Sequence, residues 1–213
     1  MKILEVTTLR IPEIKVIRFA RFCDQRGYFT ESYRASDFAS HPEMGFMKDV
    51  RFVQANESFS KRHVARGMHF QWNPHMGKMV RTISGRMIDL VLDIRRGSPT
   101  YGKMLAVDLP GSAERPVAEW IWVPPGFAHG NLFTAPTVIE YLCSGEYSAG
   151  CEACISPLSA DIDWSLADPA LKAVWDEIRA QPDFTMTDKD RNGLSLAAWT
   201  DDSRSQNFVH GKL

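Results

Sequence analysis

Residues 79–123 read MVRTISGRMIDLVLDIRRGSPTYGKMLAVDLPGSAERPVAEWIWV, and this stretch decides the fold. Met79 to Ser84 and Met87 to Ile94 are two runs of strand length divided by Gly85. Gly97-Ser98-Pro99-Thr100 is a turn signal. Lys103 to Leu109 and Glu119 to Val123 follow as strands; Pro124-Pro125-Gly126 breaks the run, and Thr137 to Cys143 resumes it. On the N-terminal side, Arg51 to Ser60 alternates, with Phe52, Gln54, Asn56 and Ser58 on one face and Val53, Ala55, Glu57 and Phe59 on the other. Strands about ten residues apart with turns between them predict a mainly β sandwich or barrel rather than a βαβ fold. No G-x-G-x-x-G opens a helix after a strand, so a Rossmann nucleotide site is not expected.

The pattern changes after residue 165. Asp168-Pro169 reads as an N-cap followed by proline at the first helical position, and Leu171, Val174, Trp175 and Ile178 recur at helical spacing. That stripe is expected to lie against the barrel. The polar residues from Asp201 onward are expected to be mobile. A chain of 213 residues suits a single domain. Its barrel core is placed at about 16–165 and its C-terminal helix and tail at about 166–213.

Apolar residues make up 44% and charged residues 24%, an ordinary globular composition able to fold without disulfides. A formal net charge of −1 gives no whole-chain field that favours nucleic acid or an anionic membrane. No apolar run approaches the roughly 20 residues that span a bilayer. The opening MKILEVTTLRIPEIKVIRF alternates charge with apolar residues instead of forming a signal peptide, so a cytoplasmic location is expected. Of the four cysteines, Cys151 and Cys154 form a lone C-x-x-C; zinc needs about four ligands, so reduced structural thiols are the expectation.

Three clusters carry chemistry: Arg66-Gly67-Met68-His69-Phe70-Gln71 with Lys78, Pro124 to Gly130, and Asp24 to Glu31. Histidine suits general-base work near neutral pH, and a nearby lysine or arginine stabilises an oxyanion or binds phosphate. Alone, His69 reads better as a core histidine bonded to a backbone carbonyl; the nearby arginine, glutamine and lysine shift the reading toward function. His129, in PPGFAHG, reads as a second base, a metal ligand or a turn-stabilising residue. Metal cupins use H-x-H on one strand; here the second position is Gln71, and no metal is expected.

Taken together, DQRGYFTES, QANESFS, RGMHFQ, the run from Gly77 to Lys103, WIWVPPGFAHG, and EYL with Tyr147 resemble the dTDP-4-dehydrorhamnose 3,5-epimerase family. IDW at 162–164 and MTDKD at 186–190 add weaker matches, so the resemblance runs from about residue 16 to 190. It implies a cupin-type jelly-roll barrel with a short C-terminal helical segment, no cofactor, no metal, and a homodimer acting on a nucleotide sugar. The implied reaction inverts carbons beside a C4 ketone, converting dTDP-4-dehydro-6-deoxy-D-glucose to dTDP-4-dehydro-L-rhamnose.

By motif, His69 is the implied base, Asp190 the carboxylate on its other ring nitrogen, Tyr141 the acid on the opposite face, and Lys78 the enolate stabiliser. Arg66 and Lys189 are implied diphosphate contacts, with Arg26 reaching in from a partner subunit. Gln54 and Asn56 would hold sugar or phosphate oxygens. Phe29, Glu31, His129 and Tyr147 complete the implied substrate site. The chain departs from the family pattern after PPGFAHG, where Asn131 stands in place of an aromatic. Competing readings are a single-centre epimerase of another 4-keto nucleotide sugar, a non-catalytic sugar-binding cupin, and a metal-dependent cupin.

Overall fold

The computed structural model describes residues 1–213. In chain order the elements are β1 (Ile3–Thr8), β2 (Lys15–Ala20), β3 (Phe22–Asp24), β4 (Gly27–Phe29), α1 (Ala35–Ser40), β5 (Gln54–Ser60), β6 (Val64–Gln71), β7 (Lys78–Asp93), β8 (Met104–Gly111), β9 (Val117–Val123), β10 (Phe127–Phe133), β11 (Thr137–Cys143), β12 (Glu152–Cys154), α2 (Pro169–Arg179), α3 (Asp188–Arg191) and α4 (Leu196–Asp201). The fold is mainly β, a cupin-type jelly roll with few helices. No helix is long and apolar enough to cross a membrane.

The two runs divided by Gly85 form one strand of 16 residues, β7, and not two. Its first part pairs with β9 and β11, and its second part with β8 and β10. β7 therefore passes from one sheet to the other. One sheet is completed by β1, β2 and β5; the other by β6 and β12. Gly85 sits at the crossing with φ +92, and a Cβ there would lie 2.3 Å from the Pro136 carbonyl oxygen. Only glycine meets both demands, so the residue that reads as a break in the sequence is a bend in a continuous strand.

Buried apolar residues form three groups. Between the sheets lie Val80, Met87, Val91, Ile121, Phe127, Phe133 and Ile139. Outside the β6–β10 sheet, Ile88, Leu90, Leu92 and Phe70 pack against Trp175, Trp199 and Phe208 of the C-terminal segment. Outside the other sheet, Phe19, Met79, Trp120 and Trp122 pack against Phe38, Met44 and Met47. β7 is thus covered on both faces, which is why Met87 to Ile94 reads as an almost unbroken apolar run. Within it, Asp89 shares the interior face with Met87 and Val91 and is fully buried.

Two sequence expectations need correction. Pro124-Pro125-Gly126 does break the chain, but Phe127–Phe133 behind it is strand β10, so His129 lies in the middle of a sheet and not in a turn. The segment after Asp201 is anchored, not free. Phe208 is 1% exposed and packs edge-on against Phe70 and Trp199, and its carbonyl accepts the Arg96 N–H at 2.7 Å. One aromatic among polar residues supplies the burial that average polarity conceals. The helix at 169–179 forms with Asp168 as its cap, accepting the Ala170 N–H at 2.8 Å; Trp175 and Ile178 are buried beneath it.

Candidate active site

β6 carries Arg66 and His69, three positions apart, which on a regular strand face opposite sides. Here the register against β10 slips: His129 is opposite His69, yet Asn131 is opposite Arg66. The extra residue in β6 is a bulge at Gly67–Met68, and it turns both Arg66 and His69 toward the interior. β10 supplies His129 and Asn131 to the same face. From the facing sheet, β5 supplies Gln54, Asn56 and Ser58, β7 supplies Lys78, and β11 supplies Tyr141. Two hollows of about 330 and 370 Å³ share His69, Lys78, Tyr141 and Lys189 in their walls, forming one cleft at the polar end of the barrel.

His69 Nε2 lies 2.9 Å from Asp190 Oδ1, so the ring edge faces the carboxylate. A carboxylate only accepts, so the proton sits on Nε2 and a neutral ring keeps Nδ1 as an acceptor. Burial alone would raise the pKa of Asp190, but hydrogen bonds from His69, the Gly67 N–H and Thr187 outweigh it and hold the carboxyl below its ordinary value. Asp190 begins no sheet. It arrives on α3, whose cap Thr187 accepts the Asp190 N–H at 3.1 Å. Gly67 makes the approach possible: a Cβ there would lie 3.1 Å from Asp190 Cβ and Cγ and from Cys154 Sγ.

Lys78 forms no ion pair in the chain. Desolvation lowers the pKa of its ammonium, against the opposing pull of Cys143, Asp89 and Glu152. Burial raises the pKa of Tyr141, with Cys143 adding to the rise and Arg66 opposing it, so the phenol stays protonated at neutral pH. The cleft thus places a histidine–carboxylate pair on one sheet and a protonated tyrosine with an unpaired lysine on the other. That set can remove a proton from one face of a bound molecule, meet the developing negative charge, and return a proton to the other face.

The outer hollow is organised by loop contacts. Gln54 Oε1 accepts the Tyr147 N–H at 2.9 Å, and Gln54 Nε2 donates to Asn56 Oδ1 at 3.1 Å. Gln71, which stands where a metal cupin would place a histidine, instead donates to the Pro74 and Glu146 carbonyls and accepts the Ser148 N–H, pinning the loop that carries Tyr147. Glu152 Oε1 accepts from Tyr147 Oη at 2.9 Å and from Lys189 Nζ at 2.6 Å. Lys189 is raised in pKa chiefly by that bond to Glu152.

Ten of the implied site residues meet in this cleft: His69, Asp190, Lys78, Tyr141, Arg66, Gln54, Asn56, His129, Tyr147 and Lys189. Arg26, Phe29 and Glu31 do not line it. Arg26 pairs with Asp24 at 2.6 Å on the exposed β3–β4 hairpin, Phe29 is 66% exposed beside it, and Glu31 binds the chain's amino terminus and Arg34. Sequence reasoning missed Glu152, which lies on β12 in a stretch with no strand signal, and Asp89, hidden in an apolar run. His69, Asp190 and Cys154 offer ligand atoms within 4.8 Å of one another and are the residues able to hold a cation. Burial pushes the Cys154 thiol to about 12, and that thiol must lose its proton to ligate.

The family model described as dTDP-4-dehydrorhamnose 3,5-epimerase matches residues 8–198. A dTDP-4-dehydrorhamnose 3,5-epimerase of Sinorhizobium fredii is 38% identical over 192 residues, covering 89% of this chain and 88% of its own. Among solved structures, the dTDP-6-deoxy-D-glucose-3,5-epimerase of Legionella pneumophila, in complex with dTDP-4-keto-L-rhamnose, aligns with a TM-score of 0.78 at 29% identity, covering 96% of this chain and 97% of its own. A 4-keto-6-deoxy sugar epimerase of Streptomyces spheroides, from the novobiocin biosynthetic gene cluster, aligns with a TM-score of 0.76 at 27% identity, covering 94% and 91%.

Proposed function

The chain belongs to the dTDP-4-dehydrorhamnose 3,5-epimerase family, and from that premise we propose that its cleft inverts C3 and C5 of dTDP-4-dehydro-6-deoxy-D-glucose, giving dTDP-4-dehydro-L-rhamnose. The observation that carries the reading is the His69–Asp190 pair at 2.9 Å on one sheet, facing Tyr141 and the unpaired Lys78 on the other.

A proton next to a ketone is very weakly acidic, so the enolate forms usefully only where its oxygen meets a fixed cation or donor. Lys78 fills that role at the C4 oxygen. His69 Nδ1 takes the proton from the carbon, and Asp190 stabilises the imidazolium that results. Tyr141 delivers a proton from the opposite face, and the centre inverts without turning the sugar over. The same pair then acts at the second carbon flanking the ketone.

Arg66 and Lys189 hold the diphosphate; arginine suits this because its planar fork binds phosphate oxygens in pairs. When the nucleotide arrives, Lys189 exchanges Glu152 for phosphate, and Tyr147 lines the nucleotide site. Arg26, Phe29 and Glu31 act across a homodimer: the β3–β4 hairpin leaves Phe22 53% and Phe29 66% exposed, apolar surface for a second copy to cover.

The test is incubation with dTDP-4-dehydro-6-deoxy-D-glucose in heavy water, following the sugar protons by NMR. Deuterium at C3 and C5 with L-configured product is expected. Entry at C3 alone would make this a single-centre epimerase, and no exchange above the enzyme-free control would overturn the reading.

A further inference from the structure

We propose that Asn131 is a specificity-determining residue of the cleft, its amide oxygen accepting a hydrogen bond from a ring hydroxyl of the bound sugar. The proposal rests on the reading of the cleft as a nucleotide-sugar site.

Asn131 is 6% exposed on β10 and lines the inner hollow with Arg66, His69, Lys78 and Tyr141. Its Nδ2 donates to Asp89 Oδ1 at 2.8 Å and approaches Met87 Sδ at 3.1 Å. A carboxylate and a thioether cannot donate, so the amide has only one workable orientation. Asp89 is itself immobile: it is fully buried, and the same Oδ1 accepts the His129 Nε2–H at 2.7 Å. The carboxylate therefore fixes Asn131 as it fixes His129. No group of the chain donates to Asn131 Oδ1, and that oxygen is not among the sealed, unpartnered polar atoms. It is an acceptor held rigidly in the wall of the hollow, available to a ligand.

The chemistry of the substrate narrows what can answer it. In a 4-keto-6-deoxyhexose joined through C1 to a diphosphate, the ketone accepts only, the C6 methyl does neither, and the diphosphate carries only acceptors at neutral pH. The hydroxyls at C2 and C3 are the only donors the sugar has. A preorganised acceptor costs little ordering on binding and loses its partner when the hydroxyl is absent, which is how polar sites discriminate strongly.

The experiment compares dTDP-4-keto-6-deoxyglucose with its 2-deoxy and 3-deoxy analogues, measuring affinity by titration calorimetry and kcat/KM by solvent-deuterium exchange. Wild type is expected to disfavour one analogue by about tenfold or more. Asn131→Leu, similar in size with neither amide end, is expected to lose that preference. Asn131→Ser shortens the side chain and draws its hydroxyl back toward the strand, out of reach of the sugar, and it should lose the preference too. Because the readout is a ratio between sugars, the folded fraction of a variant cancels, and dTDP alone should bind all three proteins equally. Which analogue is disfavoured names the hydroxyl. An unchanged ratio in both variants overturns the role of Asn131 while leaving the epimerase reading intact. Failure of wild type to bind any of the three sugars overturns that reading, and this proposal with it.

Discussion

Two histidine–aspartate pairs stand side by side, since His69 and His129 are register partners on β6 and β10. His69 reaches Asp190 at 2.9 Å and His129 reaches Asp89 at 2.7 Å, so distance does not tell them apart. Exposure does: the His69 side chain is 30% exposed and that of His129 only 7%. The origin of the carboxylate differs as well. Asp89 belongs to β7 and comes with the barrel wall, whereas Asp190 comes from α3 and depends on the docking of the C-terminal segment. A carboxylate that orients an imidazole is common; an imidazole with room beside it for a substrate carbon is what makes a base. The deeply buried pair belongs to the cleft wall, and the more open pair is the one we propose to move protons.

The comparison breaks most completely at His69. His69→Ala should lower solvent-deuterium exchange into the substrate by on the order of 10⁴-fold, the upper end for a general base. Retention of wild-type exchange would mean that His129 or another group is the base. Next in size is Asp190→Asn, expected to cost on the order of 10²–10³-fold in kcat, because the imidazolium loses its counter-charge and the ring its fixed tautomer. Tm should move little beside that loss, because the amide keeps the shape of the carboxylate. A collapse of Tm with little change in kcat per folded molecule would reassign Asp190 to docking alone.

Tyr141→Phe sharpens the contrast between the two sheets. Removing the donor from the far face should suppress formation of the L-configured product by about 10²-fold, while exchange at the abstracted carbon falls by less than about tenfold. Equal losses in both, read from the same NMR series, would show that Tyr141 does not act separately from His69.

How much of this was legible depends on the range over which each residue's position is set. The strands around Gly97–Thr100 and Thr137–Cys143, and the capped helix at 169–179, follow from local periodicity and turn chemistry, and they read directly. The interior face of β5, with Gln54, Asn56 and Ser58, follows from strict alternation. Arg66 and His69 sharing a face does not, because it needs the bulge, and a bulge is a property of the pairing with β10. Asp190 joining His69 was reachable only through the family resemblance; nothing local in MTDKD points across the chain. Glu152 was missed because β12 has only three residues and exists by pairing with β6. Arg26, Phe29 and Glu31 are legible as motif yet lie outside the cleft of the chain.

Gly67 carries the next, smaller test. Gly67→Ala would put a methyl 3.1 Å from Asp190 and Cys154, in the gap through which the Gly67 N–H reaches the carboxylate. The neighbours must give way, at about 1–3 kcal/mol of stability for overpacking. The displacement falls on the open pair alone, so kcat should drop by about tenfold while the His129–Asp89 wall keeps its geometry. An unchanged kcat would mean that α3 can shift without disturbing His69.

The smallest effect separates the docking role of Asp190 from its catalytic one by pH. Its folded pKa is held below the ordinary value by the His69, Gly67 and Thr187 hydrogen bonds, which overcome the opposing effect of burial. A carboxylate depressed in this way stabilises the fold fully above its unfolded pKa of about 3.9, and the contribution is lost as pH falls through the folded value. Wild type and Asp190→Asn should therefore differ in urea midpoint at pH 7 by an amount that shrinks toward pH 3, since the variant has no proton to take up there. The gap at pH 7 should be near the ~1.5 kcal/mol of one hydrogen bond to a charged group. A gap independent of pH would mean that the carboxylate's charge does not help hold α3 against the barrel, and that the open pair is assembled by packing before its electrostatics contribute.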